Sequence, residues 1–144
     1  MKSLQDAKIV PVIPPGAIVD NAAFTTTTID TIGFAEADVY VQFGALDIAP
    51  TALKLQESDA SGSGFVDIAA SDYTGAFPTA TDDNKFIAFH VPLLGGRKRY
   101  LKLVLTGGDG ATGTYATAFA ILTRGSEHAY TAATRGLLAE KFIA

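Results

Sequence analysis

The stretch Arg99-Tyr100-Leu101-Lys102-Leu103-Val104-Leu105-Thr106 decides the fold class. In an extended chain Leu101, Leu103 and Leu105 share one side, and Tyr100, Lys102 and Val104 the other. That period of two marks a strand buried on one face. The alternation recurs outward from this segment. In Asp38–Gly44, Val39, Val41 and Phe43 oppose Tyr40 and Gln42, and in Ala52–Ser58, Leu53 and Leu55 oppose Lys54 and Gln56. In Thr114–Leu122, Tyr115, Thr117, Phe119 and Ile121 oppose Ala116, Ala118, Ala120 and Leu122. Lys85–Val91 reads as a further apolar strand, and Lys8–Ile13, Thr26–Gly33 and Gly64–Ile68 as shorter ones. About eight strands separated by glycine- and proline-rich turns predict an all-β fold, an antiparallel two-sheet β-sandwich of jelly-roll type.

A length of 144 residues suits one domain. The expected organisation is an extended N-terminal arm over 1–22, a sandwich over 23–123 and a C-terminal tail over 124–144 that docks on the domain or a neighbour. In the arm, Ile9, Val10, Val12, Ile13, Ile18 and Val19 are interrupted by Pro11, Pro14 and Pro15, which bars a central strand. In the tail, Leu137, Leu138, Lys141 and Phe142 sit at helical spacing in a segment too short to hold a helix alone.

Apolar residues at 48% and charged residues at 18% exclude a disordered chain. The absence of cysteine removes disulfides, thiolate ligands and cysteine nucleophiles. No apolar run approaches the length of a membrane span, so no membrane partner is expected. A net charge of −4 argues against nucleic acid. Residues 1–84 carry three lysines against twelve carboxylates, and residues 85–144 carry eight cations against three. Such asymmetry suits contact with copies of itself or a charged scaffold, unless the fold interleaves the two halves.

The motifs are structural ones. Gly108-Asp109-Gly110-Ala111-Thr112-Gly113 matches a dinucleotide fingerprint, but a strand pattern follows where a helix is needed, so it reads as a hairpin loop. Glu57–Gly62 imitates half of a calcium loop, yet Ile68 stands where the bidentate carboxylate belongs. Asp82-Asp83-Asn84 reads as a solvated loop before a strand. His90 lies on a strand and His128 in the tail, and neither joins a catalytic constellation. No catalytic residue, cofactor or metal ligand is expected, and the protein is not expected to be an enzyme. Arg97-Lys98-Arg99, with Lys102 beyond, is the basic cluster. Read as the start of a strand, it puts Arg97 and Arg99 on one face and Lys98 and Lys102 on the other. It suits either a charged strand edge or contact with an acidic partner.

Four segments together resemble the head decoration, or capsid cement, proteins of tailed bacteriophages. They are Thr31-Ile32-Gly33-Phe34, Leu53–Asp59 running to Gly64-Phe65-Val66-Asp67, Arg97–Leu103, and Thr114–Leu122. The resemblance covers roughly residues 28–122. It implies a virion structural protein on the outer capsid surface, made in the bacterial host cytoplasm, that binds the major capsid protein and ties capsomers together. It also implies a homo-oligomer, with a trimer ahead of a dimer. The expected contact residues are Ile9, Val10, Val12, Ile13, Ile18, Val19, Arg97, Lys98, Arg99, Leu137, Leu138 and Phe142. The competing expectation is a phage tail or fibre β-sandwich that binds receptor or carbohydrate through exposed tyrosines clustered at one end.

Overall fold

The computed structural model describes residues 6–126 and 131–141. Nine strands are present among them: β1 (Lys8–Ile13), β2 (Ala22–Ala23), β3 (Ile29–Asp30), β4 (Glu36–Leu46), β5 (Ala52–Ser58), β6 (Val66–Asp67), β7 (Phe86–Pro92), β8 (Tyr100–Gly107) and β9 (Thr114–Thr123). They form two antiparallel sheets, one ordered β1-β9-β4-β7 and the other β2-β8-β5-β6, with β3 also paired to β8. Since β2 and β3 lie along the same flank of β8, they amount to one interrupted strand. Eight strands then alternate between two four-membered sheets in the order of a jelly roll. The chain crosses between sheets at every connection except β5–β6, which is a true hairpin.

The alternating residues pack as their pattern requires. Val39, Val41 and Phe43 face Leu53, Leu55, Leu101, Leu103 and Leu105 across the sandwich, all essentially buried. Each such side chain contributes about 1.5–3 kcal/mol through removal from water. On β9 the alanines Ala118 and Ala120 face inward with Leu122, and all three are buried. Phe119 and Ile121 face out, where Phe119 stacks on Tyr40 at 5.5 Å. Small residues inside a central strand leave space for the leucines of the opposite sheet.

Four expectations need correction. Within the arm expected over 1–22, Lys8–Ile13 is a sheet strand, as its shorter-strand reading required: it forms the edge strand β1, paired with β9 from Lys8↔Leu122 onward. The Ile9 amide donates to Arg135 O at 2.8 Å, so it points away from β9. Pro11, two residues on, has the same outward orientation, and a residue with no N–H costs nothing there. Within Thr26–Gly33 only Ile29–Asp30 pairs as strand, because Thr27 turns its amide to Val12 O of the other sheet at 3.0 Å. Gly108–Gly113 is not a hairpin, since β8 and β9 belong to opposite sheets. The basic cluster precedes β8, which begins at Tyr100.

The tail docks on its own domain. The buried Arg135 guanidinium donates through Nε to Ala7 O at 3.3 Å and pairs with Glu140. Gly136 has φ 77°, and a Cβ there would fall on the Ile9 carbonyl. Residues 132–136 form turns, and 137–141, where Leu137, Leu138 and Lys141 sit at helical spacing, are irregular rather than helical.

Candidate functional site

Three surfaces carry chemistry: the two ends of the sandwich and one flank between its sheets. At one end lie the β3–β4, β5–β6 and β7–β8 connections and the chain leaving β9. The basic cluster is here, and it is neutralised. Arg97 sits between Asp72 (2.6 Å) and Glu57 (3.5 Å), with a side chain only 27% exposed. Lys98 reaches Asp59 at 3.4 Å, and its amide donates to Glu57 at 3.1 Å. Arg99 grips Asp30 with two bonds of 2.8 Å, and its guanidinium lies over the Tyr100 ring at 4.8 Å. Those bonds from Arg99 hold the Asp30 carboxyl below its usual range. Arg124 meets Glu36 at 2.6 Å, and His90 meets Asp38 at 2.8 Å. Apart from Asp72–Arg97, which links the long β6–β7 connection, these ties join loops and strand ends of this one end. The charge asymmetry of the two sequence halves is thus largely spent inside the fold, where Arg97, Lys98 and Arg99 each pair with a carboxylate of their own chain.

The same end carries two exposed aliphatic residues, one on the β3–β4 connection and one on the β7–β8 connection. Ile32 is 60% exposed and Leu94 75% exposed. Ile32 is held by its own amide, which donates to Asp30 at 3.1 Å, and by Phe34 N–H donating to Thr31 O at 3.1 Å. Sequence reasoning passed over both residues. Leu93-Leu94-Gly95-Gly96, an apolar pair running into two positive-φ glycines, was the available signal.

The opposite end is acidic. Its loops carry Asp20, Asp47, Asp82, Asp83 and Asp109 against the single cation Lys85, a local charge of −4 that equals the net charge of the chain. Asp20, Asp47 and Asp109 each place a carboxylate oxygen within 4.8 Å of the others. Their visible work is loop anchoring. Asp47 accepts from Gly113 N (2.9 Å) and Thr112 N (3.2 Å), and Asp20 accepts from Gly110 N (2.8 Å). The Gly113 amide leads the group of donors that lowers the Asp47 carboxyl. Asp82 caps Thr79 and pairs with Lys85, and Asp83 accepts from Leu46 N at 2.7 Å.

The flank lies between β7 and the β5–β6 side. A cleft of about 420 Å³ opens there, with Leu55, Ile68, Phe89 and Val91 as its apolar floor and Asp72, Arg97 and Thr74 at its rim. On its β5 side Tyr73 substitutes for a strand, its hydroxyl accepting from Leu55 N (2.8 Å) and donating to Leu55 O (3.2 Å). Burial pushes the Tyr73 phenol up.

The structure scatters the expected contact residues. Val12 and Ile13 are buried in the core; Ile9, Val10 and Val19 are half-buried, and Ile18 is 37% exposed beside the Val19↔Thr114 bridge. Val12 and Ile13 therefore serve their own sandwich. Leu137 is half-buried, Leu138 fully exposed, and Phe142 lies outside the described residues, as do His128 and Tyr130. The remaining tyrosines do not cluster: Tyr40 and Tyr100 lie on different sheets, Tyr73 lines the cleft and Tyr115 is exposed near the acidic end.

No protein-family model, curated protein or solved structure matches the chain.

Proposed function

We propose that this protein is a structural component of a bacteriophage head, bound to the outside of the capsid and bridging capsomers. The observation that carries the reading is the pairing of Ile32 and Leu94, exposed at 60% and 75%, with a collar of closed ion pairs at one end. Exposed aliphatic tips on an end whose charged side chains are already paired suit docking onto another protein, because little charge must be stripped of water on contact. Three of the four segments that resemble decoration proteins reach this end: Thr31–Phe34 is one tip, Leu53–Asp67 is the β5–β6 hairpin, and Arg97–Leu103 is the ion-paired entry to β8, while Thr114–Leu122 is the sheet strand β9, which starts from the opposite end. In this reading the acidic end faces solvent and helps keep the coated particle dispersed. Each copy need bind only modestly, since many equivalent copies act together.

The test is co-sedimentation of the purified chain with expanded phage heads. Stoichiometric copy number is expected, and Leu94→Asp together with Ile32→Asp should abolish it at an unchanged melting temperature. Equal binding by the double variant refutes the assignment of this end, and no binding by the wild type refutes the capsid role.

A further inference from the structure

The flank of β7 is unpaired, and its backbone orientation can be read from the register. Phe43 N–H donates to Lys85 O at 3.0 Å and Leu93 N–H donates to Ala35 O at 2.9 Å. In an antiparallel ladder these bonds alternate, so Ile87, Phe89 and Val91 direct their amides and carbonyls to β4. Phe86, Ala88 and His90 must then direct theirs away from it. Among the described residues no segment pairs with that side, and β7 is the last strand of its sheet. The strand Phe-Ile-Ala-Phe-His-Val-Pro carries no lysine, acid or bulge, and its only proline is the final residue. Charge, proline and irregularity are how edge strands are normally blunted.

The cleft of about 420 Å³ runs along the same flank. Two deficits therefore coincide, a row of free hydrogen-bonding groups and an unfilled apolar space between the sheets. One kind of occupant removes both. We propose that β7 receives an extended segment of a partner protein, which adds antiparallel or parallel as a further strand and lowers alternate aliphatic side chains into the cleft. Main-chain bonds to Phe86, Ala88 and His90 would supply affinity, and the cleft floor would select the side chains opposite Ile87, Phe89 and Val91. A second folded copy fits less well, because its own Phe89 and Val91 are already buried in its own core and would leave the cleft empty. The inference is independent of the capsid reading, since any scaffold could provide the strand.

The experiment is amide hydrogen exchange, followed by NMR on the full chain, with and without a short lysine-flanked peptide alternating valine and threonine. The peptide should slow exchange at Phe86, Ala88 and His90 by about tenfold or more, leaving Ile87 and Phe89 as protected as before. Ala88→Pro removes an outward amide without touching the β4 ladder. It should melt like the wild type and lose the effect. Thr74→Trp, which crowds the cleft mouth from an exposed loop, should do the same with every edge amide intact. Absence of protection, protection confined to another strand, or undiminished protection in both variants overturns the proposal. Protection that rises with protein concentration alone, together with a dimer in sedimentation, overturns it in favour of a second copy.

Discussion

The two outer strands of the four-stranded sheet, β1 and β7, face the same problem and meet it differently. On β1 the outward positions are taken: Ile9 donates to Arg135 O, Pro11 has nothing to donate, and the tail is fastened by the buried Arg135. On β7 the outward amides of Phe86, Ala88 and His90 meet no described segment. The other sheet blunts its edges by brevity, with two-residue β6 on one side and the interrupted β2 and β3 on the other. Among the described residues, three edges are treated and the fourth is left bare beside the cleft of about 420 Å³, which is the contrast that the proposed strand addition rests on.

The contrast can be broken most forcefully at Phe89. Phe89→Pro deletes an amide directed to β4 and should cost about 3 kcal/mol or more, against a near-neutral Ala88→Pro one residue earlier, with urea denaturation as the measure. Equal losses in the two variants would mean that the assigned orientation of β7 is wrong. Next in size is Arg135→Ala, which leaves Glu140 and the Ala7 carbonyl without a buried partner. A loss of about 1–3 kcal/mol is expected, with faster exchange of the Ile9 amide and no change along β7. Pro11→Ala should alter stability by less than about 1 kcal/mol, because the position is sterically permissive, yet it adds a donor to the treated edge. Light scattering during long incubation should then show more association than the wild type.

Smaller effects belong to the ends rather than the edges. Asp30, Asp67 and Asp82 have carboxyls lowered first by Arg99, Lys54 and Lys85 respectively. A depressed folded pKa gives stability that is present above the unfolded value near 3.8 and is lost as pH falls through the folded value. The melting temperature should therefore be flat with respect to these groups above pH 5 and decline only in strong acid, modestly because all three are solvent-screened. Calcium and chelator should give equal melting temperatures, since Asp20 and Asp47 already hold loop amides. A calcium-dependent rise would show that the acidic end binds the ion.

How far the sequence could be read follows from the range of each interaction. The leucines at 101, 103 and 105 declare their face locally, and the structure buries all three. The ties between Arg97 and Asp72, and between Arg99 and Asp30, span 25 and 69 residues, so no local signal announces them. A basic triplet then looks available when it is already engaged. Pro11 was legible in part: it rules out a central strand, and β1 is indeed an edge, but composition cannot say which way an amide would have pointed there. The uncharged run at β7 was legible as a strand, while its position at the margin of the sheet depended on the complete topology.

One consequence concerns how the molecule travels before it touches anything. Among the described residues, −4 is gathered at one tip and opposite charges cancel over the rest, so they form an electric dipole laid along the sandwich axis. Near an acidic surface it experiences a torque that turns the neutral tip forward, and near a basic surface the torque reverses. Ionic screening confines this turning to a distance of about 8 Å at physiological salt, so it acts only in the last moments of an encounter. It would raise the fraction of collisions that are productive while leaving the lifetime of the finished contact almost unchanged, and diluting the salt would lengthen its reach.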